Sequence, residues 1–151
     1  MKLWIVALVA LVPMQQADEA LKKETVYNSL MRFAMPRLPY GAHCDVIERE
    51  GKVTCFLSLP MDLDSARCAS LKAVIDKGAK DGKIDAAAAG KALWPPIIES
   101  EIAGEYARLQ KAIGVKGGEL AFGGCIEFQW NKTDYCLLSK GSTKEWAFVS
   151  H

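Results

Sequence analysis

The chain has 151 residues, half of them apolar, and a formal net charge of +1. That is material for a single domain with its own hydrophobic core. Lys2 is the only charge in the first 17 residues, and without it 18 basic residues balance 18 acidic ones. A neutral chain with no like-charge block argues against nucleic acid or an anionic membrane surface as the main partner.

Met1–Ala17 reads as a secretory signal peptide. Lys2 is a minimal positive start, Leu3–Val12 is an unbroken apolar run, Pro13 breaks it, and Ala17 suits the residue before a cut. The run is too short to cross a bilayer, which takes about 20 residues. The expectation is a single secreted or periplasmic domain, residues 18–151, with no stable membrane insertion after cleavage. All five cysteines follow the signal, so they read as disulfide formers with one thiol left over.

Asp18–Met35 is predicted helical, with Tyr27, Leu30, Met31 and Ala34 on one face and Pro36 and Pro39 as stops. The next stretch, His43–Leu59, holds Cys44 and Cys55 in a C-x10-C spacing. With Glu48-Arg49-Glu50-Gly51 as the loop, Cys44 falls opposite Cys55, Val46 opposite Val53 and Ala42 opposite Leu57. One face then carries Ala42, Cys44, Val46, Val53, Cys55 and Leu57, and the other His43, Asp45, Thr54 and Phe56. This register predicts a Cys44–Cys55 bridge on a buried face.

A second helix should start near Asp62–Ser65 and end at Gly78, with Cys68, Leu71 and Ile75 on its buried stripe. Asp85 caps a short helix, Ala86–Leu93, which Trp94-Pro95-Pro96 ends. The strongest periodicity follows: Ile98, Ile102, Tyr106, Leu109 and Ile113 recur every three or four residues, and Gly114 closes the helix. The last third reads as β. Gly117-Gly118 and Gly123-Gly124 bracket a short strand, Glu119–Phe122. Cys125–Trp130 and Thr133–Ser139 form a second hairpin with the same C-x10-C spacing, and Lys144–Ser150 a final strand. In that hairpin Cys125, Glu127, Gln129, Asp134 and Cys136 share a polar face. Direct pairing puts Glu127 opposite Asp134, which is unfavourable and would be relieved by a bulge or a shift of two residues.

Chemistry is sparse. Asp81-Gly82-Lys83-Ile84-Asp85 resembles the centre of an EF-hand loop. Lys77, Ala79 and Ala88 stand where its acidic ligands belong, so a helix–turn–helix without metal is expected. There are two histidines, His43 and His151, and no HExxH, paired CxxC, G-x-S-x-G elbow or P-loop. Cys68 and His43 are the one conceivable nucleophile–base pair, though His43 falls on the face away from Cys44. Asn131-Lys132-Thr133 is a glycosylation sequon at the second hairpin's tip. The first hairpin, C-x10-C-F-L-S after an aromatic residue, resembles the N-terminal segment of invasion-associated locus B proteins, which are exported bacterial proteins. The resemblance spans about a tenth of the chain. The long helical middle departs from that family's β-rich pattern, and no function is carried over.

The sequence therefore predicts an α+β domain. Its antiparallel sheet consists of two disulfide-tied hairpins (Cys44–Cys55, Cys125–Cys136) plus a C-terminal strand. The N-terminal helix and the helical middle pack on one face. The expected function is a non-catalytic protein-binding module: an inhibitor, immunity-type protein or secreted effector. Trp130, Glu127, Gln129, Lys132 and Asp134 are its contact residues, and no metal or cofactor is involved. The alternative is a small exported hydrolase with scattered catalytic residues.

Overall fold

Two β-hairpins and the helical segment between them set the architecture. The computed structural model describes residues 3–38, 43–60, 66–130, 132–139 and 146–150. Helix α1 (Leu3–Ala34) ends in a 3-10 turn and leads to strands β1 (His43–Arg49) and β2 (Lys52–Pro60). Helices α2 (Ala69–Asp81), α3 (Ala86–Leu93) and α4 (Pro96–Ile113) come next. Strands β3 (Glu119–Trp130), β4 (Thr133–Ser139) and β5 (Trp146–Ser150) complete the chain. The strands form one open sheet in the order β1-β2-β3-β4-β5. The α+β class is as expected, but the sheet is mixed. The β1–β2, β3–β4 and β4–β5 pairs are antiparallel, while β2 and β3 run parallel from Lys52↔Glu119 to Pro60↔Glu127. The cause is the helical middle: it carries the chain back to the starting end of β2, and a strand entered that way lies parallel.

Both hairpins slide by two residues from the direct cysteine pairing. In the first, Cys44 faces Leu57 and Val46 faces Cys55. The loop is two residues, Glu50-Gly51, both with positive φ (51° and 75°), the geometry whose twist matches the flanking strands. In the second, Glu127 faces Cys136 and Gln129 faces Asp134, which relieves the carboxylate clash. A slide of two keeps every side chain on its face. Cys44, Val53, Cys55 and Leu57 are accordingly fully buried. No S–S bond joins Cys44 to Cys55, and Cys125 is likewise unbonded, so the disulfide ties are taken up below as a proposal.

The helices close over that buried row. Val26, Leu30 and Ala34 of α1, Leu71 and Ile75 of α2, and Ala89 and Leu93 of α3 join one core with Ile102, Tyr106 and Leu109 of α4. Leu30 and Ala34 are buried as expected, Val26 joins them while Tyr27 and Met31 are only half-buried, and residues 14–21 of the same helix are exposed. Asp85 caps α3 by accepting from the Ala88 N–H at 3.0 Å, and Gly82, with φ 73°, ends α2. The EF-hand-like stretch therefore serves as two helix caps. Helix α2 runs past Gly78, where a Cβ would come within 2.6 Å of the Ile84 backbone. The expected helix-starting residues Asp62–Ser65 lie outside the described residues.

Strand β3 passes straight through Gly123-Gly124 instead of breaking there. The buried Trp94 ring packs on Phe122 with centroids 5.0 Å apart, and its Nε1–H donates to the Gly123 carbonyl at 3.1 Å. Gly118, just before β3, lies against the first hairpin's turn: a Cβ there would sit 1.7 Å from the Gly51 carbonyl oxygen. Backbone cannot yield as a side chain does, so Gly118→Ala should cost about 2–3 kcal/mol. Gly104, inside α4 with open space around it, is the contrast: Gly104→Ala should stabilise by roughly 0.5–1 kcal/mol. Urea unfolding of the two variants checks the opposite signs.

Candidate functional site

Because Val53, Cys55 and Leu57 of β2 enter the core, Thr54 and Phe56 between them point to the other side. Arg49↔Lys52, Ile47↔Thr54, Asp45↔Phe56 and His43↔Ser58 pair across the first hairpin. Thr54↔Ala121, Phe56↔Gly123 and Ser58↔Cys125 continue the rows into β3. Ile47, Thr54, Phe56 and Ala121 are only half-buried, and among the described residues no helix packs on this side of β1–β3. A cleft of about 450 Å³ opens on it, lined by Ile47, Arg49, Glu50, Lys52, Thr54 and Phe56 with Ala121, Phe122, Gly123 and Ser139. The Ser139 hydroxyl accepts from the Gly124 N–H at 3.0 Å, and a Cβ on Gly123 would come within 2.5 Å of it. Further along the same face, His43 Nε2 lies 3.0 Å from an Asp45 carboxylate oxygen, both side chains well exposed.

The second hairpin places the expected contact residues near its tip. Glu127, Lys132 and Asp134 are exposed, Lys132 with a positive φ of 64° in the turn. Gln129 pairs with Asp134 and Trp130 with Thr133 by backbone register. The Gln129 and Trp130 side chains, and all of Asn131, lie outside the described set. Cys68 is buried (1 % exposed) at the start of α2, whereas His43 projects from the uncovered side of the sheet, so the two do not form a nucleophile–base pair. Among the described residues no group of three or more His, Cys, Asp or Glu side chains is placed to hold a metal ion.

One constellation escaped the sequence reading. Glu48, assigned there to the loop, is a strand residue on the helix side of β1. Its carboxylate accepts from the Tyr27 hydroxyl at 2.6 Å and from Lys23 Nζ at 3.3 Å, at the mouth of a groove of about 570 Å³ between α1 and β1. The Tyr27 bond, with Lys23 beside it, holds the Glu48 carboxyl below the usual range. Burial, and then the acceptor it serves, push the Tyr27 phenol well above its ordinary value. The two-residue turn was the missing signal, since it makes Glu48 a strand residue on the same face as Cys44 and Val46.

Cys44 and Cys55 also meet. Their thiols lie on the diagonal of the hairpin, and the Cys44 Sγ is 3.9 Å from the Asp45 carbonyl oxygen. The interaction of the two thiols, together with burial, raises Cys55, and the same interaction lowers Cys44. The pair is completely closed to solvent.

No family model matches the chain, and no curated protein or solved structure is similar to it at a significant level. The likeness of the first hairpin to invasion-associated locus B proteins stays confined to that short motif.

The Glu48 contact has a definite pH sign. A carboxyl held below its unfolded value contributes stability that is present above the ordinary carboxylate range and disappears as pH falls through the folded value. Tyr27→Phe should therefore lower stability at neutral pH by about 1 kcal/mol, a modest figure because solvent reaches the pair. The difference from the parent chain should shrink below about pH 4. Melting temperatures measured from pH 7 to pH 3 on both chains decide it; a pH-independent difference would contradict the assignment.

Proposed function

We propose that this chain is a small exported protein-binding module without catalytic activity, of the inhibitor, immunity or secreted-effector kind. The observation that carries the reading is the one-sided burial of β1–β3: helices close one side of these strands and, among the described residues, leave the other open. Trp130, Glu127, Gln129, Lys132 and Asp134 at the second hairpin's tip are the proposed contacts, with Trp130 as the anchor. Export is supported by α1. Its residues 14–21 are exposed and its core contacts start at Val26, so cleavage after Ala17 removes no described core contact. Asp18 and Glu19 would then begin the helix, where acidic side chains suit the positive end of its dipole.

Two disulfides belong to this reading. The diagonal placement of Cys44 and Cys55, both fully buried on one face of the first hairpin, supports the first. The second, Cys125–Cys136, rests on the same two-residue offset recurring in β3–β4. In each, two thiols lose two protons and two electrons to a disulfide-donating oxidant of the export compartment. The tagged full-length chain, recovered from the extracellular or periplasmic fraction, should bring down a stoichiometric protein. Trp130→Ser should release that protein without changing the melting temperature, and non-reducing peptide mapping should link Cys44 to Cys55. Recovery without a stoichiometric partner rejects the binder reading, and five alkylatable thiols in the exported protein reject the disulfides.

A hydrolase is the second reading, and one observation favours it: an imidazole held by a carboxylate, His43–Asp45, with Ser58 directly across in register. Such a group would act as an oriented base. If the parent chain cleaves chromogenic esters, both His43→Ala and Ser58→Ala should abolish turnover. Unchanged turnover in either one removes this reading.

A further inference from the structure

The first hairpin ends in an arrangement that folding alone does not favour. Arg49 and Lys52 face each other directly across the two-residue turn. Like charges in that position repel. Neither makes an ion pair with any described residue, although Glu119 neighbours Lys52 in the parallel register. Both side chains line the cleft on the uncovered face, beside the half-buried Ile47 and Phe56. The floor beyond is Ala121 and Gly123, and the missing side chain at Gly123 keeps it low. Two cations sit at one end, an apolar trough lies behind them, and the volume of about 450 Å³ is that of a small-ligand site. Glu50 also lines the cleft, so its charged residues carry one net positive charge, which matches a monoanion.

We propose that this cleft binds a small amphipathic carboxylate. The head lies between Arg49 and Lys52, and the apolar body lies along Ile47 and Phe56. The anion removes the repulsion between the two cations, and the guanidinium and ammonium donate charge-assisted hydrogen bonds to it. The body covers apolar surface that no helix among the described residues covers. The cleft lies on the same uncovered side of β1–β3 that carries the reading above, but none of its residues is among the protein contacts proposed at the tip of the second hairpin.

The test is titration of the full chain with decanoate below its micelle concentration, followed by amide chemical shifts and calorimetry. Saturable one-to-one binding is expected, with shifts concentrated at residues 47–56 and 121–123. Arg49→Gln and Lys52→Gln should each weaken it about tenfold, the scale of removing one charge-assisted hydrogen bond. Both positions are exposed, and unchanged melting temperatures verify that the variants fold. Decanol, which keeps the body without the charge, should bind at least as weakly as decanoate does to these variants. Shifts that never saturate, shifts confined to the helical core, or decanol binding as tightly as decanoate would each overturn the proposal. Tighter binding of decyl phosphate than of decanoate would overturn the monoanion assignment.

Discussion

Val53, Cys55 and Leu57 on one side of β2 are the surface on which the rest of the molecule packs. All three are fully buried, and side chains from each of the four helices join the cluster they belong to. Full burial of a residue such as Val or Leu contributes about 1.5–3 kcal/mol, so this row is a large share of what a domain of this size has to spare. The same alternation has a second consequence. Side chains of a strand point alternately to its two faces. Committing Val53, Cys55 and Leu57 of β2 to the core therefore sends Thr54 and Phe56 to the opposite side. Core and cleft are two sides of one strand.

The two hairpins lie side by side because the helical middle returns the chain to the start of β2. Parallel pairing of β2 with β3 requires the turn at Gly51 and the approach to β3 to pass very closely, and Gly118 permits it. Trp94 then seals the other side of β3. Its ring stacks on Phe122 and its indole N–H satisfies the Gly123 carbonyl, which is what a buried indole requires. Glycine at 123 serves the uncovered face as well, because the Ser139 hydroxyl occupies the space a Cβ would need.

Register had chemical consequences that parity did not. Cysteine spacing suggested direct pairing, yet both hairpins turn through two residues and place the cysteines on a diagonal. In the first hairpin that diagonal keeps both cysteines on the same buried face. It also moves Glu48 and Arg49 out of the presumed loop into β1, which brings Glu48 under Tyr27 and sets Arg49 against Lys52. The polar network on the helix side and the cationic pair on the open side both follow from that one slide.

Periodicity in the sequence determined which residues are buried. The stripes of α2 and α4, the Asp85 cap, the two-faced first hairpin and the α+β class were all legible, because helical and strand periods are local properties. Two local signals misled: the glycine pair at 123–124 and Gly78 looked like ends of elements, whereas Gly123 leaves room for the Ser139 hydroxyl and Gly78 for the close approach of Ile84. Strand direction, register and the Glu48–Tyr27 contact were not legible. A parallel pair and an antiparallel pair can bury the same alternating pattern, and a slide of two residues leaves every face unchanged. Only the packed chain distinguishes them, through the long return of the helical middle and the twist of a two-residue turn. His43–Leu59 was thus decided by its own sequence as to what it buries, and by the tertiary structure as to what it presents.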